Sequence, residues 1–154
     1  MRKNLKTVID TNVFLYSLSD EHESACVQIA NLIDEKRLDV LFSQDTFGEL
    51  IYMVKHWSRK NLDNKIDRLE LLHDFVDLFY NSLSLNTTKI SCPEIIDKSD
   101  EMFFKIALKG NADYLISDDE ESGMHSSDEI KKLGIKVVKS TEFIKIYNQQ
   151  EQVS

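Results

Sequence analysis

The sequence predicts an α/β protein, a three-layer α/β/α sandwich with a central parallel sheet. Short apolar segments rich in β-branched residues alternate with longer segments of helical periodicity along the chain. There is neither an internal repeat nor a flexible linker. Parallel strands need crossover connections, and helices in these connections cover both faces of the sheet. The 154 residues are enough for one domain. We place it at residues 1–147, with a polar C-terminal tail at 148–154.

In the first half of the chain, residues 5–9 form the first predicted strand, because they are rich in β-branched residues and suit burial on both faces. A short helical or turn segment follows at 14–18. The next helix opens with acidic residues at 20–23, where the helix dipole favours them. A second strand is predicted at 39–42. Ser43 is then a plausible N-cap for a helix over 44–56.

In the second half, residues 61–80 predict a long helix or a helix pair. Its predicted core face is Leu69, Leu72, Val76 and Phe79, and its predicted solvent face is Asp67, Glu70, Asp74 and Asp77. A third strand is predicted at 89–91, and a helix over 97–109 ends at the pair Gly110-Asn111. Strands at 113–117 and 134–138 flank a polar segment. The last helix begins near Thr141.

Composition excludes several classes of protein. Apolar residues make up 42% of the chain and charged residues 30%, as in a soluble globular protein. No apolar run approaches the ~20 residues of a membrane span, and the N-terminal segment does not resemble a signal peptide. The isolated thiols Cys26 and Cys92 favour a reducing, cytoplasmic location. A net charge of −8 counts against a simple nucleic-acid-binding module, but not against a nuclease with a carboxylate metal site.

Carboxylates stand at four places where a predicted strand ends or a helix begins. They are Asp10, Glu49, Asp97 with Asp100, and Asp118 with Asp119. Each alone could be a helix cap or a solvated charge. In a parallel sheet, however, these places share one edge. Carboxylates gathered there either hold protons at a raised pKa or bind a cation. Oxygen ligands without a neighbouring histidine or cysteine favour Mg²⁺ or Mn²⁺, which suits phosphate-ester hydrolysis.

These motifs, in this order, resemble those of the PIN-domain ribonucleases. The resemblance is carried by Val8-Ile9-Asp10-Thr11-Asn12, by Glu49, by Asp97-Lys98-Ser99-Asp100, and by the stretch from Asn111 to Asp119. The segments 134–138 and 141–144 are similar to the last strand and helix of that family. The resemblance implies an α/β/α sandwich with the activity of a Mg²⁺- or Mn²⁺-dependent endoribonuclease. Many small bacterial members are VapC-like toxins of toxin–antitoxin pairs, typically dimeric and silenced by an antitoxin protein.

Carried over residue by residue, the resemblance implies four catalytic, metal-binding acids: Asp10, Glu49, Asp100 and Asp119. It gives Asn12 and Ser117 the role of orienting those acids, and Asp97 an assisting role. The family often has Thr-Gly-Asp where this chain has Ser117-Asp118-Asp119. Whether Asp118 or Asp119 is the fourth ligand is therefore open, and Asp119 is favoured because Ser117 keeps the threonine position. The number of metal ions is also open.

Three functions remain to be compared. The leading hypothesis is the endoribonuclease, with RNA as substrate and with an antitoxin and a second copy of the chain as implied partners. The second is a non-catalytic interaction protein of the same fold, although such a protein gains nothing from mutually repelling carboxylates. The third is a phosphatase with a nucleophilic aspartate. It would want a second aspartate where Asn12 stands. The candidates for contact with RNA phosphates are Lys55, Arg59, Lys60 and Lys98, and the favoured alternative for each is a solvated surface residue.

Overall fold

The computed structural model describes residues 3–19, 24–92, 94, 97–120, 125 and 131–153. Its strands are β1 (Leu5–Ile9), β2 (Leu38–Phe42), β3 (Leu83–Ser84), β4 (Tyr114–Ile116) and β5 (Val137–Val138). The helices in the described residues are α1 (Thr11–Ser19), α2 (Ala25–Asp34), α3 (Gln44–Asn61), α4 (Lys65–Tyr80), α5 (Glu101–Gly110) and α6 (Ser140–Val153). The strands form one parallel sheet in the order β3-β2-β1-β4-β5, which confirms the predicted fold class.

Strand β1 lies at the centre of the sheet. Thr7 pairs with Val40 of β2 on one side and with Tyr114 of β4 on the other. Strands β1, β2 and β4 run parallel, so their carboxyl ends lie at one edge of the sheet. The residues that follow these three strands therefore meet at that edge. Asp10 immediately follows the central strand and is therefore flanked by neighbours from both sides of the sheet.

The two faces of the sheet are covered unequally. Successive strand residues point to opposite faces, so Ile9 joins one buried cluster and Val8 the other. The Ile9 cluster includes buried side chains of α1, α2, α3, α4 and α6. The Val8 cluster includes Phe103, Phe104 and Ile106, and α5 is the helix that supplies them. Helices on both faces complete the α/β/α sandwich.

The third strand lies at Leu83–Ser84, so the predicted strand at 89–91 is wrong. Leu83 directly follows α4 and pairs with Leu41, which extends the sheet beyond β2. Ile90 instead lies in a turn, where its N–H donates to the carbonyl of Thr87. A single apolar residue between lysine and serine has no apolar neighbour with which to form a strand.

The predicted core face of helix α4 is right for two of its four residues. Leu72 and Phe79 pack on the core, whereas Leu69 and Val76 are about half exposed. The buried face is rotated toward Phe75, which is buried although it lies outside the predicted set. The ring of Phe75 packs edge-on against Phe14, with ring centroids 6.0 Å apart.

Several helix boundaries also differ. Helix α2 begins after its N-cap Ser24, and the predicted acidic opening at 20–23 lies outside the described residues. Asn111 has the left-handed φ of 50° expected of a helix C-cap. Helix α6 continues through Val153, so residues 148–153, predicted as a polar tail, form exposed helical turns. The domain boundary at residue 147 stays a prediction, and most of the predicted loop at 122–133 is not described.

None of the helices in the described residues combines the length and the hydropathy needed to cross a membrane.

Candidate functional site

Asp10 is the buried acid at the carboxyl edge of the sheet. Its N–H donates to the carbonyl of Ile116 at 2.9 Å, which continues the β1–β4 ladder by one residue. Its carbonyl accepts from the N–H of Val13 at 3.0 Å, so Asp10 also begins α1. The side chain is only 6% exposed. Position at a helix N-terminus partly stabilises its negative charge.

Ser117 orients the Asp10 carboxylate. Its hydroxyl donates to Asp10 Oδ2 at 2.8 Å and accepts from the N–H of Asp119 at 3.2 Å. The N–H of Asn12 lies 3.5 Å from Asp10 Oδ1. Ser117 is fully buried, and the ring Nε2 of His125 lies 2.8 Å from its carbonyl oxygen. A direct contact therefore supports the orienting role inferred for Ser117. The side chain of Asn12 is exposed, and its orienting role stays a prediction.

Glu49 comes from the second turn of α3. Ser43 and Thr46 form a reciprocal capping box that fixes where this helix begins. The hydroxyl of Thr11 donates to Glu49 Oε2 at 2.6 Å, and this hydrogen bond ties α3 to the first turn of α1. Sequence reasoning missed the role of Thr11. Its position beside Asp10 in the Asp-Thr-Asn motif was the available signal.

Asp100 is buried at the N-cap position of α5, but its carboxylate makes no capping hydrogen bond. Its pKa is raised to about 6, first by burial and then by the negative charges of Asp10, Asp119, Asp97 and Glu49, in that order. Burial also raises the pKa of Asp10. The hydrogen bonds from Ser117 and Asn12 oppose this rise, and the charges of Glu49 and Asp119 add to it. The predicted acids therefore interact electrostatically at one edge of the sheet.

Asp118 and Asp119 are adjacent but have different surroundings. Asp118 accepts from the N–H of Ser140 at 2.8 Å and from its hydroxyl at 2.9 Å, so it caps α6. The thiol of Cys26 lies 3.8 Å from the same carboxylate. Asp119 instead is among the charges that raise the pKa of Asp10 and Asp100. The contact with Ser140 was missed, although serine at the start of a predicted helix is a capping signal.

The donor set fits a hard divalent cation in its chemistry. The interacting groups are all carboxylates, and a cation would offset the repulsion that raises the pKa of Asp10 and Asp100. As the side chains stand, however, no group of three or more acidic, histidine or cysteine residues in the described part of the chain is arranged to hold a metal ion.

The charge at Asp100 makes the metal-free protein less stable as pH rises. Its folded-state pKa of about 6 lies above the ordinary value of 3.8, so the folded state holds this proton more tightly than the unfolded state. We expect the contribution of Asp100 to stability in chelator to be fully present below about pH 4 and to be lost as pH rises through about 6. Urea unfolding midpoints measured at successive pH values should show this fall, and Asp100→Asn should flatten it. An Asp67→Asn control, altered at an exposed acid of α4, should keep the wild-type profile. Parallel profiles for wild type and Asp100→Asn would refute this assignment.

A comparison with known families gives this arrangement a context. The family model described as PIN domain matches residues 6–121, which is more than half of the chain. The matched region includes Asp10, Glu49, Asp100 and Asp119. No curated protein matches the chain significantly. PIN domains are generally nucleases and typically use divalent metal ions. The matched region, the parallel sheet and the acids at its carboxyl edge together show that this chain belongs to the PIN-domain family.

Proposed function

We propose that the protein is a Mg²⁺- or Mn²⁺-dependent endoribonuclease whose catalytic acids are Asp10, Glu49, Asp100 and Asp119. The observation that supports this proposal best is the electrostatic interaction of these acids around the buried carboxylate of Asp10. Mutual repulsion is costly for a metal-free protein and useful to one that binds a cation. The non-catalytic alternative leaves that cost unexplained.

In the proposed mechanism, the four acids would hold the cation. When bound, it supplies charge neutralisation at the phosphoryl oxygen and acidifies a nearby water molecule. Ser117 keeps Asp10 oriented through its 2.8 Å hydrogen bond, and Thr11 does the same for Glu49 at 2.6 Å. Fixed orientation matters because a preorganised site need not reorganise as charge develops in the transition state.

The net charge of −8 repels RNA phosphates, so binding of RNA depends strongly on cations close to the site. Lys98 lies in the exposed turn between Asp97 and Asp100 and is the best-placed candidate for a phosphate contact. Lys55, Arg59 and Lys60 are also exposed, on the second half of α3, and we assign them a weaker role in binding RNA phosphates.

Cleavage of end-labelled single-stranded RNA tests the activity. We expect internal cuts with Mg²⁺ or Mn²⁺ and none in chelator, because carboxylates alone do not stabilise the phosphoryl transition state. Single-stranded DNA of the same sequence is the control for substrate class. Calorimetric titration with Mn²⁺ runs in parallel. Binding of Mn²⁺ without cleavage of any RNA tested would favour the non-catalytic interaction protein. Absence of both Mn²⁺ binding and cleavage would overturn the metal-site proposal.

The resemblance to VapC-like toxins supports finer proposals about biological context. We infer a cytoplasmic protein, silenced by an antitoxin and present as a homodimer. Sedimentation velocity of the purified chain tests the dimer. Growth of bacteria that express the chain, with and without a small gene found beside its own gene, tests whether an antitoxin silences the protein. A monomer at all concentrations would contradict the homodimer. Growth that is unaffected by expression of an active enzyme would contradict silencing by an antitoxin.

A further inference from the structure

A groove lined by helices α1, α2 and α4 joins an apolar pit to an acidic pocket. The pit has a volume of about 180 Å³, and its apolar lining includes Phe14, Leu18, Ala30, Leu71 and Phe75. The pocket has a volume of about 610 Å³ and its acidic lining is Asp34, Asp39, Asp74 and Asp77. The two spaces adjoin, because both are lined by Ile33, Asp34, Asp74 and Leu78.

Two acids that form no ion pair within the described residues lie where the pit meets the pocket, and Lys36 also lines the pocket. Burial raises the pKa of Asp34, and the charges of Asp74 and Glu35 raise it further. Within the residues that the structure describes, no lysine or arginine lies at ion-pair distance from Asp34 or Asp74. The other acids of the pocket differ, because Asp77 pairs with His73 at 3.3 Å and Asp39 accepts from Asn4 at 3.2 Å.

The pit and the acid pair together specify the chemistry of an occupant. An apolar side chain entering the pit would contact Phe14 and Phe75 and lose its hydration. A lysine or arginine beside it would lie between Asp34 and Asp74 and relieve their repulsion. A second copy of this chain fits less well, because its net charge of −8 opposes an acidic groove.

We propose that this groove binds a basic amphipathic segment of a partner protein, which places an apolar side chain in the pit and a cation between Asp34 and Asp74. The acidic pocket lies at the amino edge of the sheet, beside Asn4 and Leu38, opposite the carboxyl edge that carries Asp10. The groove is therefore separate from the proposed nuclease site. Its occupancy does not depend on that activity.

Fluorescence anisotropy with a designed peptide tests the groove. The probe is a labelled helical peptide with leucines on one face and arginines beside them, and two control peptides replace either the arginines by glutamates or the leucines by serines. We expect binding of the first peptide alone. The double variant Asp34→Asn/Asp74→Asn should weaken it about tenfold and reduce its salt dependence. Ala30→Phe, which fills the pit, should weaken it similarly at unchanged charge.

The matched control is Asp67→Asn/Glu70→Gln, which removes two exposed acids of α4 that do not line the groove. It should bind within about twofold of wild type, because the total charge matters less than its position. Urea unfolding of each variant confirms that it is folded. Equal binding by the groove variants and the control would overturn the proposal. Self-association that Ala30→Phe abolishes would overturn it too, since the occupant would then be a second copy.

Discussion

Asp10→Asn is expected to lower metal-dependent RNA cleavage at least about a hundredfold, which corresponds to a few kcal/mol of barrier. Asparagine keeps the size of the side chain and an oxygen that can accept from Ser117 Oγ, now 2.8 Å from Asp10 Oδ2. It removes the negative charge at the centre of the acid group. Single-turnover rates at saturating Mn²⁺ separate this loss from weaker substrate binding.

Two further measurements show whether the loss arises at a metal site. In chelator, Asp10→Asn should be more stable than wild type, because it removes a buried charge that Glu49 and Asp119 repel. With Mn²⁺, wild type should gain more stability than the variant, because an ion that binds only the folded state raises the unfolding midpoint. An Asp67→Asn control should match wild type in both conditions. A variant that cuts RNA as fast as wild type would show that Asp10 is not catalytic.

Asp119→Asn and Asp118→Asn are expected to fail in different ways. Asp119→Asn should lower Mn²⁺ affinity and cleavage by about two orders of magnitude. It should not lower metal-free stability, because it removes a charge that raises the pKa of Asp10 and Asp100. Asp118→Asn should instead destabilise the fold by about 1–2 kcal/mol, because it weakens the two hydrogen bonds to Ser140 that cap α6. Titration of free Mn²⁺ by electron paramagnetic resonance and urea unfolding provide the two readouts.

Ser140→Ala is the matched control for this pair. It removes the hydroxyl that donates to Asp118 but keeps the backbone N–H, and it changes no acid. It should therefore reproduce part of the stability loss while Mn²⁺ affinity stays near the wild-type value. If Asp118→Asn instead loses Mn²⁺ affinity as strongly as Asp119→Asn does, Asp118 is a ligand and the assignment of the two aspartates is reversed.

The sequence was sufficient for the architecture where apolar runs were long or caps were strong. Strand β1 ends in three buried β-branched residues, and Ser43 marks the start of α3 through a capping box. The short strand β3 was misplaced, because two residues carry no periodicity and their pairing with β2 depends on where α4 ends. For α4, only half of the predicted core face packs on the core, because the contact of Phe75 with Phe14 rotates the buried face of the helix.

The same limit applies to the candidate site. Carboxylates at the ends of elements could be placed at one edge, because parallel topology requires it. Sequence spacing could not show that Thr11 bonds Glu49, nor that Asp118 bonds Ser140, since both contacts join segments distant along the chain. The raised pKa of Asp100 likewise depends on burial, which follows from how α5 packs on the sheet.

The cap that Asp118 provides for α6 means that the folding unit is larger than the matched family region, which stops at residue 121. A chain shortened to that point would lack Ser140, and it would expose the ring of Tyr114, whose centroid lies 5.6 Å from that of Phe143. Phe143 itself is fully buried. The last helix thus holds the loop that carries Asp119 in place. Removing this helix from the carboxyl end of the chain would destabilise the proposed site.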